Sequence, residues 1–436
     1  MGIKDLIITP IYLVLFTMIA YFVRPYVTNA ATSKFFLPAL WVRFIGAILL
    51  GVLYQFYYGG GDTFNYWQHG SRWIYLAFQD DPAIGLNLLL DNGGDRALDR
   101  SYEYSSKIWY YRDVHSYLIV RIAAIFDLLT FHTYSASALF FACFSFSGLW
   151  AMYSAIQEKY PSSTERLTLA ILFVPSVIFW GSGILKDTIT LGALGWATWA
   201  LMRMICNRKR RLLEAVVLIS ALYIIYSIKL YILICYLPMV AIWLFFESAG
   251  RLRSWKLKIL AMPFLLLVFG GVGFLALRVT SGESEKYALD NLAERARITA
   301  YDIRYGWGAR LGGDGGYDIG IPDGSISGMF RLMPAAVNVS LFRPYLWEVK
   351  NPLMLLAALE GLIFLLLTVR FVFKKRVIKR VFSEPFLIFC LGFAVLFAFA
   401  IGVSTANFGT LIRYKIPMIP FIAILLLTRL SRPENR

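Results

Sequence analysis

An all-α, polytopic integral membrane protein is what this sequence predicts, and three observations predict it. Of 436 residues, 58% are hydrophobic and 17% aromatic, while only 16% are charged. A soluble fold of that size has no interior large enough to hide so much apolar surface. The apolar residues also gather in runs of membrane-crossing length. Finally, the basic residues cluster between those runs, as they do in cytoplasmic loops. The net charge of +16 is therefore topological. Soluble-enzyme and nucleic-acid-binding classes are set aside, and no nucleic acid is expected as a partner.

In order, the runs are residues 6–23, 36–58, 134–156, 167–180, 187–205, 212–228, 231–246, 256–279, 351–373, 385–405 and 413–430. They predict about eleven spans, within roughly 10–12, in a single transmembrane domain over residues 1–436. Residues 6–23 are long enough to span and no small-residue cleavage site follows, so a span is expected there, not a removed signal. Cys143, Cys206, Cys235 and Cys390 lie inside apolar runs and read as small buried hydrophobes. His69, His115 and His132 share no metal-site spacing.

Basic clusters orient the spans. Arg208 to Arg211, then Arg251, Arg253, Lys256 and Lys258, then Lys374, Lys375, Arg376, Lys379 and Arg380, and finally Arg429, Arg432 and Arg436 fall on one side, which is cytoplasmic by the positive-inside rule. The opposite face receives two long loops, 59–133 and 280–350, and long loops between short-looped helices carry function. This needs residues 116–131, with Arg121 and Asp127, to lie along the surface as an interfacial helix.

Within the first loop, Gly59-Gly60-Gly61-Asp62-Thr63-Phe64-Asn65-Tyr66-Trp67 follows a span directly. Three glycines permit a sharp turn. Asp62 is placed to accept a proton from a hydroxyl or to hold a divalent cation, Mg2+ or Mn2+. Tyr66 and Trp67 offer rings for a sugar. The bland alternative is an Asp capping a helix that begins at Thr63.

Gly181-Ser182-Gly183-Ile184-Leu185-Lys186-Asp187 breaks two spans apart and supplies an adjacent cation and anion. Ionisable groups at such depth are costly and usually functional. Lys186 suits a phosphate, and Asp187 a catalytic role. The alternative is a hairpin in which Asp187 caps a helix and Lys186 snorkels. Arg413-Tyr414-Lys415 opens the last span with two cations on the external side, against the positive-inside trend. Arg binds phosphate oxygens bidentately and Lys as a point charge. Arg343 and Glu348, with Arg331 upstream, sit among aromatics before residue 351. They read either as contacts for a lipid-linked substrate or as an aromatic belt holding an Arg343–Glu348 pair. Asp314, Asp318 and Asp323 have no calcium-loop spacing and read as turn chemistry.

Taken together, Asp62 with Tyr66, then His115 to Leu118 and the amphipathic run 116–131, then the spans 134–156 and 167–180 with Pro175, resemble GT-C-fold membrane glycosyltransferases over roughly residues 36–205. The segments Leu341–Glu348 and Asn407–Pro417 resemble bacterial exopolysaccharide and O-antigen polymerase-like membrane proteins. The resemblance implies a GT-C-like fold in a bacterial inner membrane with an external site. It implies inverting or retaining transfer of a sugar or glycan from a polyprenyl-(pyro)phosphate donor to a glycan or lipid acceptor. Asp62 and Asp187 would be catalytic. Lys186, Arg343, Arg413 and Lys415 would meet the donor phosphates. Tyr66, Trp67, His115, Arg331, Glu348 and Tyr414 would line the substrate. The chain departs from that pattern in an extra span before Asp62 and in lacking a large C-terminal soluble domain. A lipid-linked-glycan flippase or other transporter, and a non-enzymatic assembly subunit docking through residues 280–350, are the rival expectations.

Overall fold

The computed structural model describes residues 2–95, 99–206, 211–249, 298, 301, 316–320, 326–374 and 381–428. Among them the chain is helical, without strands, apart from an isolated bridge between Gly316 and Asn407. Among the described residues six helices are long and apolar enough to cross a membrane, or seven if the bent pair Phe408–Tyr414 and Ile419–Leu427 is one span. The protein is thus a helical, multi-pass membrane protein. The expected span at 256–279, the charged start of the 280–350 loop, Asp314 and Asp323 lie outside the described residues.

The chain divides into two compact units, Met1–Leu230 and Tyr231–Arg436. The expected spans 212–228 and 231–246 fall in one helix, Arg211–Ala249. It is interrupted at Lys229 (φ −145°, ψ 77°), and the division between units falls there.

In the first unit, α1 is Ile3–Val27, α2 Ser33–Val52, α3 Asp62–Tyr66, α4 Arg72–Asp80, α5 Pro82–Leu90, α6 Tyr102–Ser105, α7 Val114–Thr130, α8 Tyr134–Lys159, α9 Thr164–Leu172, α10 Pro175–Trp180, α11 Lys186–Cys206 and α12 Arg211–Ala249. The central helix is α8, and side-chain bonds along it fix the direction of its neighbours. Near its start the Ser135 amide donates to Asp5 of α1 (2.8 Å), and further along Trp150 donates to the Val27 carbonyl (3.0 Å). Hence α1 runs parallel to α8. Asn29, just before α2, donates to Gln157 (3.1 Å), and Gly51 at the end of α2 packs on Tyr134, so α2 is antiparallel. Gly148 of α8 meets the backbone of Gly192 and Gly195 of α11, where a Cβ has no room. Such small-residue contact is how membrane helices approach closely. The α8 helix has 26 residues, about 39 Å at 1.5 Å per residue, so its two ends lie at opposite membrane surfaces.

The run 116–131, expected to lie along the surface, falls in α7 and the residue after it, and the contacts of α7 gather at one end of the bundle. The α7 helix begins beside Lys186, where Asp113 pairs with it (3.5 Å). It ends at Thr130, bonded to Ser137 of α8 (2.7 Å). Thr63, next to Asp62, bonds Tyr134 at the start of α8 (2.7 Å). Both ends of α7 therefore sit at one end of the bundle. Its exposed stripe of Val114, Ile125 and Leu129 suits an interfacial helix. Asp127 pins this layer. Its fully buried carboxylate accepts from Ser71 (2.6 Å), Ser137 (2.7 Å), Trp67 Nε1 (3.2 Å) and His132 Nδ1 (2.9 Å).

In the second unit, α13 is Ile326–Arg331, α14 Met333–Phe342, α15 Pro352–Val372, α16 Pro385–Ser404, α17 Phe408–Tyr414 and α18 Ile419–Leu427. Aromatic rings organise its interior. Tyr236 and Trp243 of α12 pack on Phe386, Phe389 and Phe393 of α16 and on Phe421 of α18. The α14 helix is bound to α16 by Ser340, which donates to the Ala398 carbonyl (2.7 Å). Asp318 accepts from the Gly320 amide (2.8 Å), the turn chemistry expected of it. Cys143, Cys235 and Cys390 are free thiols, the last two buried.

Candidate functional site

The turn before Asp62 is built as the glycine run requires. Gly59, Gly60 and Gly61 have φ of 67°, 135° and 125°, a region that L-residues with a Cβ rarely adopt. A Cβ on Gly61 would also strike the Tyr54 ring. The α3 helix starts at Asp62 itself, with Gly61 at the N-cap. Asp62 is half-buried and lies within Coulombic reach of the Lys186 ammonium.

Lys186 is the first residue of α11 and forms an ion pair with Asp113. Asp113 caps α7, its side chain accepting from the His115 and Ser116 amides (3.1 and 3.3 Å). Burial raises the Asp113 carboxyl, but the Lys186 charge and the bonds from the Ser116 hydroxyl and amide outweigh it, holding the group below the usual carboxylate range. Asp187 is fully buried and pairs with Lys229, whose side chain is 7% exposed. His115 Nδ1 lies 2.7 Å from the Ser227 carbonyl. A carbonyl only accepts, so Nδ1 carries the proton and donates. Asp62, Asp113, His115, Lys186, Asp187 and Lys229, from four separate stretches of chain, therefore meet at one end of the first unit. Lys186, 18% exposed, is its solvent-reaching cation, and Lys229 with Asp187 forms the buried floor.

Tyr66 and Trp67, expected to face a sugar, are engaged otherwise. Tyr66 is buried against Tyr110. Trp67 lies flat on His132, its centroid 4.2 Å away, and donates to Asp127. Neither Asp113 nor Lys229 was singled out from the sequence. Lys229 had a signal, being a lone cation between two apolar runs. Asp113 had only a weak one, an Asp three residues before a Ser.

No protein-family model, curated protein or solved structure matches this chain. The geometry therefore carries the functional reading by itself.

The remaining expected site residues belong to the second unit. Arg343 is clasped by Glu348, with Nε 3.0 Å from both carboxylate oxygens and Nη2 bonded to Oε1. It also lies over the Phe408 ring at 5.3 Å. Burial raises the Glu348 carboxyl, yet the bonds from Arg343 and from the Tyr345 amide bring it below the usual range. Arg331 is exposed at the end of α13. The Arg413 guanidinium lies 6.0 Å from the Tyr414 ring. Lys415 follows α17 at the 68° bend before α18. It is fully buried, its Nζ makes no hydrogen bond, and the charge acting on it is Glu360 of α15.

Among the described residues no group of three or more His, Cys, Asp or Glu is placed to hold a metal ion. Asp113 and Asp187 are each engaged by a lysine.

Proposed function

We propose that this protein is a membrane glycosyltransferase or polysaccharide polymerase of GT-C-like architecture. It would take a sugar or glycan from a polyprenyl-(pyro)phosphate donor at the external face of a bacterial inner membrane. The observation that carries this reading is the convergence of Asp62, Asp113, Lys186, Asp187 and Lys229 at one bundle end. Gathering so many costly charges beside a bilayer is a mark of a working site. Sidedness is supported by the far end of the same helices, which bears Lys34, Lys159 and Arg203 and adjoins the basic run at 208–211.

The chemistry follows from the roles available. The acceptor hydroxyl gives its proton to the Asp62 carboxylate as its oxygen bonds to the anomeric carbon. The bond from that carbon to the phosphate oxygen breaks, and the electron pair leaves on the phosphate. Lys186 stands where that growing charge is stabilised. Asp113 and the Asp187–Lys229 pair hold Lys186 and the start of α11 in place.

The test is glycan formation in intact cells. Asp62→Asn is expected to abolish the product at unchanged membrane level. A cysteine in place of Trp109, whose amide bonds the His69 carbonyl at the same end, is expected to react with an impermeant maleimide. Normal product from the variant, or labelling of residue 109 only after lysis, overturns the assignment. One observation favours the flippase reading: Lys415 and Glu360 are both buried beside a bent span, as in transporters with broken helices. Lipid-glycan translocation without transfer by purified protein would establish it.

A further inference from the structure

We infer that Arg43 is a positioning residue for the charged cluster, fixing the backbone turn that delivers Lys186 and Asp187. Arg43 lies mid-way along α2 and is fully buried. A guanidinium in a membrane-crossing helix is costly, and here Nη1 carries the hydrogen bonds while Nη2 is buried without one. Its Nη1 donates to the carbonyls of Val177 (2.8 Å) and Gly181 (3.1 Å), with the Ser145 hydroxyl at 3.5 Å. Those carbonyls belong to the end of α10, a six-residue helix followed by turn residues and not by another helical turn. The Val177 carbonyl also accepts from the Gly181 amide (3.1 Å), whereas the Gly181 carbonyl lies past the last helical turn, where the helix offers no donor and a bilayer offers no water. A cation at a helix C-terminus also complements its dipole.

The same stretch is seated against α2 without intervening side chains. Gly46 faces the Ile178 carbonyl so closely that a Cβ would sit 2.7 Å from its oxygen, and a Cβ on Gly183 would sit 2.6 Å from Leu50. Arg43 is therefore the polar clamp of an otherwise apolar contact. The chain after the clamp, from Ser182 to Leu185, leads directly into Lys186. Thr188 ties the start of α11 back to the Gly183 carbonyl (2.7 Å). The position of Lys186 beside Asp113 is thus set from α2, through α10, by a residue that touches neither. The meaning of this for catalysis rests on the proposed function, but the placement itself does not.

The test reads placement and needs no activity. Full-length protein in nanodiscs is treated with a water-soluble amine acylating reagent, and the rates at Lys186 and Lys107 are followed by mass spectrometry. Lys107 is near the same surface, paired with Glu103. In Arg43→Met the Lys186 rate is expected to rise about tenfold, the worth of one or two charge-assisted hydrogen bonds in a local opening, with Lys107 unchanged. Arg43→Lys, which keeps a cation, is expected to fall between. Arg43→Gln, which removes the charge but keeps a donor, serves if Arg43→Met does not accumulate, and is expected to raise the Lys186 rate in the same direction. An unchanged Lys186 rate in either folded variant, or an equal rise at both lysines, overturns the inference. Either result leaves the Asp62 assay standing on its own.

Discussion

The charged cluster of the first unit and the Arg343–Glu348 clasp of the second contrast in how their charges are brought together. In the clasp the partners are five residues apart and satisfy one another through several bonds. Local sequence alone places them, and the ring of Phe408 covers the guanidinium. In the cluster, Asp113, Lys186, Asp187 and Lys229 come from three distant stretches, and Asp62 from a fourth. Only folding of the whole unit assembles them. A local clasp is what a chain needs to steady a loop at the membrane surface. A convergent cluster has no such local purpose.

This contrast is sharpened by removing one member of each pair. Lys229→Met removes the cation bonded to the buried Asp187 carboxylate, and should cost about 3–5 kcal/mol in unfolding free energy. Lys229→Met combined with Asp187→Asn should recover most of it, because no uncompensated charge remains. Thermal unfolding in a defined detergent, run as a double-mutant cycle, checks this, and additive losses would break the buried-pair account. Arg343→Lys should cost less, about 1–2 kcal/mol, since an ammonium replaces a bidentate fork. A loss as large as that of Lys229→Met would erase the distinction between the two regions.

The smallest effect is in pH. The Glu348 carboxyl is held below its ordinary range in the folded protein, so its contribution is present above about pH 4.3 and is lost as pH falls through the lower folded value. The melting temperature should decline more steeply below about pH 4 in the wild type than in Arg343→Met, where the cause of the depression is gone. Parallel acid limbs would contradict the clasp.

Much of the fold was legible in sequence because hydropathy and membrane thickness act locally. The runs at 6–23, 36–58, 134–156, 351–373 and 385–405 became helices of spanning length. Asp127, read in sequence as a mark of a surface helix, is buried and hydrogen-bonded inside the unit. The apolar runs 212–228 and 231–246 were correct as segments, but whether Lys229 separates two helices or interrupts one is decided by packing. The site was half legible. Gly59 to Asp62 and Lys186-Asp187 announce themselves by glycines and intramembrane charge. Lys229 is marked only as a lone cation between apolar runs; Asp113 and Arg43 are not marked, because their meaning lies in partners 73 and 138 residues away, and pairing across that distance leaves no local pattern. The aromatic expectation at Tyr66 and Trp67 shows the converse. A stacking-ready ring in sequence is equally ready to stack inside the protein, as Trp67 does on His132.

The central claim is that Asp62 is the base of a glycosyl transfer supported by this cluster. The most direct measurement is transfer by purified protein in liposomes, from a polyprenyl-pyrophosphate-linked sugar to a labelled acceptor, with wild type beside Asp62→Asn. The account predicts product from the wild type and a loss of about 10²–10⁴-fold in the variant, the usual contribution of a positioned base, at an unchanged melting temperature. Equal rates in the two proteins would contradict it.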